Sequence, residues 1–93
     1  GALGWHPSLL PKNRGRGVVA WTILQGLEES GLSIFWIDAG MDSGDIAAQV
    51  RFPVGPRETA MSLLRKVDAA AEHALRELVP RLLAGERPQT PQD

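Results

Sequence analysis

The chain has 93 residues, 43% apolar and 23% charged, with a formal net charge of −1. That is enough for one small domain with a single core, and so balanced a charge excludes polyanion binding as its main business. The lack of cysteine removes disulfides, thiolate metal sites and a cysteine nucleophile together, and with no apolar run of membrane-spanning length and no secretory start, a soluble, cytoplasmic protein is expected.

Leu3 to Trp5 reads as the end of a buried strand, which predicts that the chain is a piece of something longer. His6 to Gly17 is a shaped loop, because Pro7 and Pro11 each fix φ and withhold an N–H. Gly15 and Gly17 let the backbone turn into a short helix running to about Gln25, with Gly26 in the position favoured for a left-handed terminator. Glu28 to Gly31 reads as a polar turn. Leu32 to Ile37 is a strand whose apolar density predicts burial on both faces. Asp38 to Asp45 is a second irregular loop, and Ile46 to Phe52 a second full strand that Pro53 to Pro56 ends. From Thr59, a fair N-cap, the period changes: Leu63, Leu64, Val67, Ala71, Ala74, Leu75, Leu78 and Leu82 fall on one helical face. Gly85 is a fair terminator, and Pro80 predicts a kink or division near Val79. Residues 1–85 form the expected domain and residues 86–93 a linker-like tail. The order is that of an α/β arrangement, with the two irregular loops at the edge of one sheet.

His6, at the mouth of a loop, is the first candidate for chemistry, since an imidazole can exchange a proton at working pH. On its own, a packed or solvated histidine is the commoner case. Ser8 lacks the surroundings of a nucleophile elbow. The acidic loop offers Asp38, Asp42 and Asp45, but Gly40, Ser43 and Gln49 stand where a calcium loop needs its third ligand, its glycine and its final glutamate. A carboxylate facing His6 would orient and stabilise it, whereas two of the three aspartates are better read as turn formers. Lys12, Arg14 and Arg16 are expected to be solvated, Trp21, Phe35 and Trp36 to be core, and His73 to be a surface residue.

Together these residues resemble the family of formyltransferases that use 10-formyltetrahydrofolate. The family's signature is Asn-x-His-x-Ser-Leu-Leu-Pro-x-x-Arg-Gly, which His6-Pro7-Ser8-Leu9-Leu10-Pro11-Lys12-Asn13-Arg14-Gly15 reproduces from the histidine onward. A second signature matches Gly31-Leu32-Ser33 and Asp42-Ser43-Gly44-Asp45-Ile46. Ser33 to Trp36 and Gly40 to Asp45 are also similar to the hydrolase domain of formyltetrahydrofolate dehydrogenase. The resemblance implies the C-terminal half of a Rossmann-like sheet with flanking helices. It implies His6 and Asp42 as the catalytic pair, Ser8, Asp38, Gly40 and Met41 as folate contacts, and no metal. Expected partners are folate and a small-molecule or aminoacyl acceptor, with a missing N-terminal half or a second subunit completing the site. Gly4 stands where the family has the asparagine that gives the formyl oxygen a second donor, a group whose loss typically costs about 3 kcal/mol of barrier. This departure points to hydrolysis of the same donor, or a weakened enzyme, as an alternative to transfer to an amine; a separate alternative is a non-catalytic fragment or binding module that keeps the fold without the site.

Overall fold

The computed structural model describes residues 1–92. It contains β1 (Leu3–His6), α1 (Val18–Leu24), β2 (Glu29–Trp36), β3 (Ile46–Pro53) and α2 (Ala60–Leu83), in the order the sequence predicts. The strands form one sheet, β1-β2-β3, antiparallel throughout.

Strand β2 lies at the centre and is buried from Ser30 to Phe35. Strand alternation splits it into two faces. Leu32 and Ile34 face α2 and form the core with Val67, Ala70, Ala74 and Leu78. Gly31 and Ser33 face the loop that follows β1, and Phe35 lies against Gly4 of β1 itself. A bulge beside Ile34 and Phe35, where Ala48 and Ile46 are the successive partners, leaves Ala47 as the extra residue and brings it into the same core.

Strand β2 begins earlier than the sequence suggests, since Glu29, Ser30 and Gly31 pair with Pro53, Phe52 and Arg51 instead of forming a turn. Gly31 is a packing glycine. A Cβ there would lie 2.3 Å from the Val50 carbonyl oxygen and 2.4 Å from Leu9 Cδ2.

Helix α2 opens with a capping box: Thr59 accepts from the Ser62 amide at 3.1 Å, and Ser62 Oγ accepts from the Thr59 amide at 2.9 Å. It closes with Gly85 at φ 86, whose amide donates to Leu82 while that of Glu86 donates to Arg81, the two bonds of a Schellman motif. Gly26, at φ 65, ends α1 in the same way. Pro80 does not divide the helix, which continues to Leu83. The proline removes the one bond its N–H would have given the Arg76 carbonyl, and the bonds of the final turn close the helix beyond it. The buried seam is Leu63, Val67, Ala70, Ala74 and Leu78, and Leu64 and Leu75 lie beside it, 44% and 47% exposed. Trp21, expected in the core, is 56% exposed, because so short a helix has one inner face and Val18 and Thr22 take it. Trp36 is half-buried, while Phe35 is in the core as expected.

Residues 86–92 are held to the sheet. Trp36 Nε1 donates to the Pro88 carbonyl at 2.8 Å, the Arg87 guanidinium lies 3.8 Å over the same ring, and Thr90 pairs with Ile46 through two backbone bonds.

The connection into α2 is knotted by Glu58. Its carboxylate accepts from Lys66 Nζ at 2.6 Å, from Ser62 Oγ and from the Gly55 amide. Lys66 first, then Ser62 and Gly55, hold its pKa down to about 2 from 4.5. Because the folded value is the lower one, the stabilisation is complete above about pH 4.5 and is lost as pH falls towards 2. Thermal melts across that interval should show a shallower loss of stability for Glu58→Gln than for the parent; equal slopes would mean that Glu58 contributes nothing.

Candidate active site

His6 ends β1 opposite Ser33 and is 6% exposed. The loop that follows it lies on the sheet because β2 and β3 reach up to hold it. Ser33 Oγ donates to the Ser8 carbonyl at 2.7 Å and accepts from the Leu10 amide at 3.1 Å and from Gln49 Nε2 at 2.9 Å. Gln49 also donates to the Leu10 carbonyl, and the Ser8 hydroxyl closes the loop on Lys12's carbonyl at 2.7 Å. Ser8 is 1% exposed, so its hydroxyl is committed to the loop's own backbone.

These bonds set what surrounds the imidazole. His6 Nε2 lies 2.6 Å from the Asn13 carbonyl oxygen, and Nδ1 lies 3.3 Å from Asp42 Oδ2. A carbonyl only accepts, so Nε2 carries a proton and Nδ1 is the nitrogen that can exchange one with the carboxylate. The same carboxylate oxygen accepts from the Gly15 amide at 3.1 Å. Both residues presenting these acceptors have left-handed backbones, Asn13 at φ 53 and Asp42 at φ 54. Asparagine and aspartate are the side-chain-bearing types that tolerate this best.

The two loops do not leave one common edge. Register places the end of β1 beside Ser33 and the end of β2 beside Leu3, at opposite ends of the short pair. They meet because residues 37–45 fold back, drawn in by two close approaches. Trp36 donates its amide to the Asp45 carbonyl at 2.8 Å, and a Cβ on Gly44 would fall 1.5 Å from the Trp36 carbonyl oxygen.

Asp38 is a turn former: its carboxylate accepts from Ser43 Oγ at 2.8 Å and from the Gly40 amide at 2.9 Å. Those bonds, Ser43's first, hold it below the usual carboxylate range. Gly40 leaves room for the Ser43 hydroxyl, since a Cβ would come 2.0 Å from Ser43 Oγ and turn it away from Asp38, and Met41 beside it is 64% exposed. A shallow cavity of about 290 Å³ opens next to His6, lined also by Pro7, Gly15, Gly17 and Val18. Lys12 and Arg16 are exposed as expected, whereas Arg14, exposed as well, bonds Gln92. His73 lies on the surface, 3.4 Å from Glu77.

Gly4 neighbours Phe35 across the sheet, and its missing side chain is accounted for: a Cβ would sit 2.9 Å from Phe35 Cζ. An apolar ring fills the space beside that position. Asn13 and Gln92 were not singled out by sequence. Asparagine is one of the side-chain-bearing residues that enter the left-handed region most readily, as Asn13 does at φ 53, but nothing local marks Gln92.

A loop-borne imidazole 3.3 Å from a carboxylate of a second loop, on an α/β sheet, is an arrangement across which a proton can be exchanged. Residues 1–79 match the formyl transferase family, and the chain belongs to it. It is 40% identical over its full length to a methionyl-tRNA formyltransferase of Sorangium cellulosum, of which it spans 30%. It is 38% identical over 93 residues to a mouse mitochondrial 10-formyltetrahydrofolate dehydrogenase, of which it spans 10%. Among solved structures, an N-formyltransferase from Helicobacter canadensis in complex with folinic acid and dTDP-3-aminofucose superposes with a TM-score of 0.92 at 28% identity, covering 98% of this chain and 34% of that one. Such formyltransferases have a Rossmann-like fold, of which this three-stranded antiparallel sheet with its two helices is a part.

Proposed function

We propose that this chain carries the reacting centre of a cytoplasmic enzyme that moves a formyl group from 10-formyltetrahydrofolate to a primary amine, on a small-molecule or aminoacyl acceptor. One observation supports this above the others: His6 Nδ1 and Asp42 Oδ2 lie 3.3 Å apart although they come from separate loops. In the transfer, a bond forms between the amine nitrogen and the formyl carbon while the bond from that carbon to the folate nitrogen breaks. The amine gives up one proton and the folate nitrogen gains one. Asp42 and His6 can take the first and return the second, with Nδ1 and Oδ2 as the exchanging atoms. For Nε2 to donate to the formyl oxygen it must leave the Asn13 carbonyl. Asp38, Gly40 and Met41, on the exposed arc before Asp42, supply folate contacts, and Ser8 contributes the shape of its loop. The chain spans 30% of its bacterial relative, so further folate and acceptor contacts come from residues outside it.

A second reading, hydrolysis with water as acceptor, is favoured by Gly4 and Phe35, which leave no polar side chain where a second donor to the formyl oxygen would stand. Tetrahydrofolate and formate release by the intact protein, with and without an amine acceptor, separates the two. Transfer predicts tetrahydrofolate release only with amine and almost no formate. Formate at the same rate without amine would establish hydrolysis, and no turnover in either case would refute both.

A further inference from the structure

The side chain of Gln92 is bonded at both ends of its amide. Its Nε2 donates to the carbonyl oxygens of Asp42 at 2.7 Å and of Gly44 at 2.8 Å. Its Oε1 accepts from Arg14 Nε at 3.1 Å and from the terminal NH2 at 2.7 Å. An amide has two N–H donors and one carbonyl acceptor, and here each end meets only groups of the opposite kind. Reversing the amide would set an oxygen against two carbonyls and an NH2 against a guanidinium. The orientation is therefore unique, and the contact is specific.

The placement follows from the tail's register. Thr90 pairs with Ile46 in antiparallel fashion, and two residues further along the same register Gln92 stands opposite Gly44. Pro88, two residues earlier, accepts from Trp36. The tail therefore lies antiparallel to residues 44–46 through one isolated bridge, and the Gln92 side chain reaches the turn that carries Asp42.

Asp42 needs such support, since its φ of 54 is one that few residues with a side chain adopt. Its carboxylate is fixed by Gly15 and His6, and its peptide group is fixed from the other side by Gln92. Through Arg14, Gln92 also ties that peptide to the loop that presents Asn13 and Gly15.

We infer that Gln92 is a positioning residue: by bridging the two loops, it sets the distance between His6 and Asp42 on which proton exchange depends. This rests on the transfer reading given above, and the test separates the two. In the intact protein, Gln92→Ala is expected to lower kcat for formyl transfer about tenfold, as small misplacements of a catalytic group do. KM for the folate donor should stay within about twofold, because the exposed arc from Asp38 to Met41 is held by its own bonds. Arg14→Ala, which leaves both carbonyl contacts in place, should cost less. Amide hydrogen exchange supplies a readout that does not need activity: the Gly15 amide, bonded to Asp42 Oδ2, should exchange faster in Gln92→Ala than in the parent. If the parent transfers no formyl group yet Gly15 exchange quickens in the variant, the transfer reading falls and the positioning role stands. Unchanged Gly15 exchange overturns the positioning role whatever the parent's activity, and where the parent is active an unchanged kcat does so too.

Discussion

Asp42→Asn is expected to lower kcat for formyl transfer by the intact protein about 1,000-fold or more while leaving its melting temperature close to the parent's. The magnitude is that of removing the carboxylate partner from a catalytic imidazole, about 10⁴-fold in the best-studied hydrolytic triad. The fold should survive because asparagine tolerates the left-handed backbone Asp42 adopts at φ 54 and keeps an oxygen that can accept from the Gly15 amide. What is lost is the charge opposite Nδ1 and a carboxylate that can take up a proton beside it. Steady-state release of tetrahydrofolate measures the effect, with circular dichroism melts as the control. A variant within tenfold of the parent would remove Asp42 from the chemistry.

The largest loss of stability should come from Gly31→Ala. Nothing about φ forbids alanine at this strand position; the obstacle is space. The added methyl would overlap the Val50 carbonyl oxygen at 2.3 Å and Leu9 Cδ2 at 2.4 Å. Leu9 could turn aside, but the carbonyl belongs to the β2–β3 ladder and cannot move without breaking it. A destabilisation of about 3 kcal/mol follows, at the upper end of ordinary overpacking. Urea denaturation of the parent and variant measures it. Since Leu9 lies in the loop between His6 and Asn13, activity should fall as well. A loss below about 0.5 kcal/mol would show that the neighbours yield freely.

Periodicity and punctuation gave away the helices and strands to within three residues. Thr59, Gly26 and Gly85 were readable because caps depend on local chemistry. Gly31 was misread because a glycine before an apolar run signals a turn, and only the distant Leu9 and Val50 reveal that it is there for space. Trp21 was misplaced for the complementary reason, since a one-faced helix leaves an aromatic residue outside when smaller neighbours take the inner face. At the site, His6 and Asp42 could be named from a resemblance. Their surroundings could not: the Asn13 carbonyl, the Gly15 amide and Gln92 act through backbone groups or across nearly the whole chain. The tail's composition suggests a linker, but its hydrogen bonds to Trp36, Ile46 and Asp42 depend on a sheet that residue types alone do not show.

If His6 and Asp42 work as one unit, removing either should cost nearly all that the pair provides. The direct test is a double-mutant cycle on kcat for formyl transfer in the intact protein, with His6→Ala, Asp42→Asn and the two combined. The double variant should be within about threefold of the slower single variant. Losses that multiply would mean that the imidazole and the carboxylate act independently, and the paired centre would have to be given up.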